Sequence, residues 1–167
     1  MKNYVIGAVV VVILVGLLVW GRMAGKDVVA YWPNSTVACL QGGEVNLAQH
    51  FHPKLTINVD GQGEVIPANI GINTACLAEI HTHDNTGEIH VEAQSSGIFK
   101  LGDFFAVWGK SIEREGYSIA LSVDGEDKRL GSDFGFGDLV LKDSQNIVIT
   151  YTSPTAPVAS TTIEVKI

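Results

Sequence analysis

Leu101-Gly102-Asp103-Phe104-Phe105-Ala106-Val107-Trp108-Gly109 sets Leu101, Phe104, Phe105 and Trp108 at helical spacing along one side. This is the apolar stripe of a short amphipathic helix, and Gly109 ends it. The large aromatics of such a stripe are core residues before they are anything else. The surrounding chain reads as strand and turn, so this one helix decides between an α+β domain and an all-β one.

Upstream, Phe51, Leu55, Ile57 and Val59 alternate with polar residues as far as Asp60-Gly61-Gln62-Gly63, and Val65-Ile66-Pro67 then resumes the apolar pattern. That is a hairpin with a glycine-rich turn, and Pro67 marks an edge or a strand end. Ile80 to Glu92 forms a second hairpin around the turn Asp84-Asn85-Thr86-Gly87. Downstream, Tyr117 to Val123 and Ile147 to Tyr151 are strands, and Thr161 to Ile167 alternates again through Ile163, Val165 and Ile167. Two hairpins, one short helix and further strands give the order of a β-rich, β-grasp-like α+β domain. An all-β Ig-like sandwich is the alternative, and the helix weighs against it.

At the amino end, the run from Tyr4 to Gly21 carries no charge and covers about 27 Å at 1.5 Å per residue, close to the thickness of a hydrocarbon core. Tyr4 and Trp20 sit at its ends, flanked by Lys2 and Arg22, as interfacial anchors do. Trp20-Gly21-Arg22-Met23 lacks the small-residue pattern of a cleavage site, so a retained single-pass anchor is expected. The expected organisation is a transmembrane anchor over 1–24, a juxtamembrane linker over 25–45 and one domain over 46–167. Flanking charges are nearly balanced and do not orient the anchor. The short tail, two cysteines able to pair and a Lys-poor body place the domain outside the cell membrane. A net charge of −7, without a Lys/Arg cluster, argues against nucleic acid.

The chain has five histidines, all between positions 50 and 90. Strand side chains two residues apart share a face. His50 and His52 are out of phase with Phe51 and Leu55, His81 and His83 with Ile80, and His90 and Glu92 with Ile89 and Val91. All therefore fall on the face opposite the expected core. A four-residue turn at Asp84 to Gly87 sets His81 opposite His90, whereas a shift of two residues sets His83 there instead. Opposed Cβ atoms lie about 5 Å apart, near enough for two imidazoles to share one ion. The expected metal ligands are His81, His83 and His90, with His50, His52 or Glu92 completing the shell and Glu79 and Glu88 on the same surface. Imidazoles with occasional carboxylate suit a copper or zinc ion.

Cys39 and Cys76 form a disulfide candidate, worth roughly 3–4 kcal/mol in the loop-entropy model. The other reading makes Cys76 a thiolate ligand favouring Cu(I). His81-x-His83 followed by Glu88 matches part of the cupin metal motif, but the glycine spacings depart from it and no histidine follows His90 to supply the second motif. Gln49-His50-Phe51-His52 is similar to the zinc strand of α-type carbonic anhydrases, on a chain far too short for that fold.

Taken together, His50-Phe51-His52-Pro53, Ile66-Pro67-Ala68-Asn69-Ile70-Gly71-Ile72, His81-Thr82-His83-Asp84, Gly87-Glu88-Ile89-His90-Val91-Glu92 and Leu101 to Gly109 resemble the blocks of a poorly characterised family of membrane-anchored bacterial and archaeal extracytoplasmic domains. The resemblance spans roughly residues 49 to 152, and its specific part is the His-Thr-His-Asp and Ile-His-Val-Glu pair. It implies an anchored extracytoplasmic domain with a histidine site and adds no reaction. The expected function is metal handling by a membrane-tethered, copper- or zinc-binding domain. The alternatives are a mononuclear metalloenzyme, a cupin-like oxidase or hydrolase, and a structural or adhesive surface module without metal.

Overall fold

A computed structural model describes residues 29–128 and 135–154. The anchor expected over 1–24 and the alternating tail Thr161 to Ile167 lie outside the described residues. Among the described residues no helix is long and apolar enough to cross a membrane.

The domain is β-rich, with two sheets and one short helix. In chain order the elements are β1 (Gln49–Phe51), β2 (Lys54–Val59), β3 (Gln62–Glu64), β4 (Ile80–His81), β5 (His90–Ala93), α1 (Leu101–Trp108), β6 (Ser118–Val123), β7 (Glu126–Lys128) and β8 (Asn146–Thr152). The larger sheet has the order β3-β2-β8-β6-β7 and the smaller one β1-β5-β4. The β2–β8 pair is parallel and aligns Leu55 with Ile147 and Ile57 with Ile149. Antiparallel β6 adds Val123 beside Ile147 and Leu121 beside Ile149. Alternation has thus stacked the apolar residues of three strands into rows on one face, and all six side chains are buried.

The β2–β3 turn is tighter than expected. Asp60 and Gly61, at φ 49° and 83°, form it alone, because two left-handed residues match the twist of a two-residue hairpin. Gln62 and Gly63 are already paired in β3, and Val65 stands 66% exposed beyond the strand. In α1 the buried set is Leu101, Phe104, Phe105 and Val107. Trp108 is only partly buried. It closes the last turn, its ring lies against Phe104 and Phe105, and Lys110 Nζ sits 4.3 Å over it. Asp103 caps the helix by accepting the Lys100 N–H at 2.8 Å, and Gly109 takes φ 73° at the far end.

Residues assigned to the linker also join the domain. Val37, Cys39 and Leu40 are buried, Cys39 bridges to Ala78, and a disulfide links Cys39 to Cys76 with Cα atoms 5.3 Å apart. One continuous apolar cluster runs through both sheets and α1, from Val37 and Ile80 to Phe104 and Tyr151.

Two close approaches hold the small sheet to the rest. At Gly87 (φ +83°) a Cβ would collide with the Leu55 carbonyl, so the tip of the β4–β5 hairpin lies directly on β2. The hydrogen bonds Leu55 N to Gly87 O and Ile89 N to Pro53 O, 2.8 and 2.9 Å, stitch it there. The loop Pro67 to Ile72 wraps β4. Thr82, fully buried, donates its hydroxyl to Pro67 O at 2.9 Å and accepts the Ile70 N–H at 3.1 Å.

Candidate metal centre

Two strand registers assemble the site. β1 sets His50 directly opposite Glu92, and β4 sets His81 directly opposite His90. Of the two registers open at the hairpin, the fold takes the one with His81 opposite His90, but the strands part beyond that pair: β4 ends at His81, β5 begins at His90, and Glu88 bridges to Lys54 instead of facing His83. His90 and Glu92, two apart on central β5, share a face, so one face of the small sheet carries all four residues. His52 and His83 follow one alternation further along. His52 is placed through its backbone, whose N–H donates to Asp143 Oδ1 at 3.1 Å.

The face is less exposed than strand parity implied. His81 is 0% exposed and Glu92 3%. The covering residue at His81 is Gly71, whose backbone packs so closely that a Cβ there would stand 2.6 Å from Ile80 O and 3.0 Å from His81 Cβ. Both faces of this small sheet are therefore covered at β4, a long-range effect that alternation within a strand cannot encode.

Burial and one hydrogen bond set the chemistry of His81. Its Nδ1 lies 2.8 Å from Ala78 O. A carbonyl only accepts, so Nδ1 carries the proton and Nε2 is left with its lone pair. Desolvation pushes the His81 pKa down to about 4, against the opposing pull of the Ala78 carbonyl and the Glu92 charge. The ring is neutral at pH 7. Its Nε2 faces His83 Nε2 at 3.1 Å. Two nitrogens bound to one ion at 2.0–2.1 Å, with angles from square to tetrahedral, stand roughly 2.9–3.3 Å apart. Desolvation, followed by the charges of His83 and His52, also lowers the His90 pKa.

The imidazoles crowd around His90. Its ring centroid is 4.5 Å from those of His52 and His83 and 5.5 Å from that of His81, with which it stacks. Glu92 Oε1 lies 3.3 Å from His50 Nε2 and 3.5 Å from His90 Nδ1. His90 Nδ1 and Glu92 Oε2 are nevertheless buried without a hydrogen-bond partner, an arrangement that costs free energy unless something else meets them. Among the described residues, two groups can hold a metal ion: His50, His52, His90 and Glu92, and His81, His83, His90 and Glu92, with the ligand atoms of each lying within 4.8 Å of one another.

Two carboxylates expected on this surface join neither ligand group. Glu79 is in neither group. Burial raises its pKa, and its carboxylate is taken up by the backbone of Ala38 and Gln94. Glu88 reaches His90 Nε2 at 3.4 Å but joins neither group, so the His-x-His plus Glu set of the cupin reading is not gathered. Conversely, Glu44 from the assigned linker reaches His83 Nε2 at 3.8 Å. It is carried there by Gln94, which accepts the Gln41 N–H at 3.0 Å and donates to Gln41 O and Val45 O at 2.8 and 2.9 Å. Nothing in the spacing of Glu44 marks it. No family model, curated protein or solved structure matches this chain.

Proposed function

We propose that this chain binds a transition metal ion through its histidine cluster and serves in metal handling at a membrane surface. One observation carries the reading: a buried, neutral imidazole, tied at Nδ1 to the Ala78 carbonyl, presents an unprotonated Nε2 at hydrogen-bond distance, 3.1 Å, from a second imidazole nitrogen. Metal-ligating histidines are oriented in this way, by donating the other ring N–H to a carbonyl. His90 Nδ1 and Glu92 Oε2, both buried without a hydrogen bond, are atoms an ion or its ligands would satisfy. With Cys76 in a disulfide, the donor set is imidazole and carboxylate, which favours Cu(II) or Zn(II) over Cu(I).

The apolar run Tyr4 to Gly21 supports a single-pass anchor, and the disulfide supports an extracytoplasmic domain. We read the larger sheet as a β-grasp core with β4 and β5 inserted before the helix. Its strand order, central parallel pair and flanking hairpins support this, and a purely antiparallel Ig-like sandwich has no place for the parallel β2–β8 pair.

The test is elemental mass spectrometry on the full chain, purified in detergent without a histidine tag, beside a His83→Ala variant. His83 is exposed enough that its loss leaves folding intact. Copper or zinc near stoichiometry, reduced in the variant, is the expected result. A wild-type protein that neither carries nor takes up either metal overturns the reading and leaves an anchored interaction module.

A further inference from the structure

We propose that the histidine face holds two transition metal ions with the Glu92 carboxylate between them, one ion on the His50/His52 side and the other on the His81/His83 side. This rests on the metal-binding reading above and extends it from one ion to two.

The first ground is donor count. A tetrahedral ion takes four ligands. Here five imidazoles and Glu92 converge, with Glu88 and Glu44 within 3.4 and 3.8 Å of ring nitrogens. One ion would leave half of these donors without a role while still crowding them. The second ground is how the donors divide. They form two groups, each with its own pair of histidines from a different strand, and the groups have in common only His90 and Glu92. The pairs come from opposite edges of the small sheet, β1 with the residues just after it and β4 with the residues just after it, and β5 lies between them.

The third ground is Glu92 itself. A carboxylate can give one oxygen to each of two ions. Glu92 is fully enclosed, with Oε1 beside His50 and His90 and Oε2 without a partner. One ion bound through Oε1 would leave Oε2 buried and unmet, whereas a second ion satisfies it. The ligand class is a pair of divalent d-block ions of borderline softness, Zn(II) or Cu(II).

The full chain in detergent, stripped with chelator, is titrated with Zn(II) and separately with Cu(II), and the ions bound per chain are counted by native mass spectrometry. Wild type should take two. His50→Ala and His83→Ala, both at exposed positions, should each take one, and Glu92→Gln should weaken binding of the second ion at least tenfold relative to the first. One ion in the wild type, lost or weakened by both histidine variants, overturns the two-ion proposal and leaves the one-ion reading standing. No ion in the wild type overturns both. Two ions retained in every variant places the metals elsewhere and overturns the proposal as well.

Discussion

Nε2 of His81 lies 3.1 Å from Nε2 of His83, although the first ring is fully buried and the second is exposed. The pair therefore separates the proposed metal site from the fold. Truncating His83 should leave the metal-free protein within about 0.5 kcal/mol of wild type, as surface substitutions do. Truncating His81 should cost about 1–3 kcal/mol, because the Ala78 carbonyl loses its buried donor. Denaturant melts in chelator measure both, and equal losses would mean that His83 also carries the fold.

Metal should stabilise the wild type. An ion that binds only the folded state at a free concentration one hundred times its Kd adds about 2.7 kcal/mol, which raises Tm by roughly 10 °C for a domain of this size. The rise should shrink by about half in His83→Ala, which keeps one of the two proposed ions. Thermal melts with and without Zn(II) check this, and an unchanged rise in the variant would place the stabilising ion elsewhere.

The disulfide should support the fold without serving the site. It closes a separation of 37 residues, worth roughly 3–4 kcal/mol in the loop-entropy model. It also secures the 37–40 segment against Ala78. Cys39→Ser with Cys76→Ser should lose about that stability while the metal content of the folded fraction stays unchanged. A parallel loss of metal at temperatures where the variant is folded would make the segment carrying Glu44 part of the site.

Strand parity made much of this architecture legible, because it acts within a few residues. Parity and the burial cost of any one-residue slip put His90 on the face of His81 and His83, but left open which of the two stands opposite it, and the fold pairs His81 with His90. The helix at Leu101 to Trp108 followed from its stripe. What parity cannot show is what covers a face. Gly71 lies ten residues before His81 in the chain, and only the folded Pro67 to Ile72 loop brings its backbone against the Ile80 carbonyl and His81 Cβ. Glu44 is farther still, delivered by hydrogen bonds from Gln94. Val37 and Leu40 read as linker because an isolated apolar residue between turns has no period, and their burial comes with the disulfide and the pairing of this segment with Leu77 to Glu79, just before β4.

Stability should fall in acid through Glu64. Its carboxylate accepts Arg114 Nη1–H at 2.7 Å and Lys110 Nζ–H at 3.1 Å, tying β3 to the chain after α1. The hydrogen bond from Arg114 outweighs burial and holds the Glu64 pKa below its ordinary 4.5. The folded state thus binds fewer protons than the unfolded state as pH falls. The contribution is complete above the ordinary value and is lost as pH drops from there through the folded pKa. Glu64→Gln should flatten this acid limb by about 1 kcal/mol, measured by denaturant melts in chelator between pH 7 and 3. An unchanged limb would assign the acid sensitivity to other carboxylates.

Gly71 offers the sharpest link between fold and site. It holds φ +77°, and a Cβ there would meet the Ile80 carbonyl at 2.6 Å and His81 Cβ at 3.0 Å. Neither neighbour is the free end of a flexible side chain. Gly71→Ala therefore adds left-handed strain to a backbone collision, and the loop should lift from β4 at a cost of more than about 2 kcal/mol. Lifting the loop opens His81 to water and releases the ring from its fixed orientation, so metal affinity should fall at least tenfold even though no ligand has changed. Gly43→Ala provides the control, since Gly43 has a comparable φ of +85° but no atom within 4 Å of an added Cβ. It should lose only the conformational part, about 1 kcal/mol, and bind metal as wild type does. Equal metal affinity in both variants would show that the covering loop has no part in holding His81 for the ion.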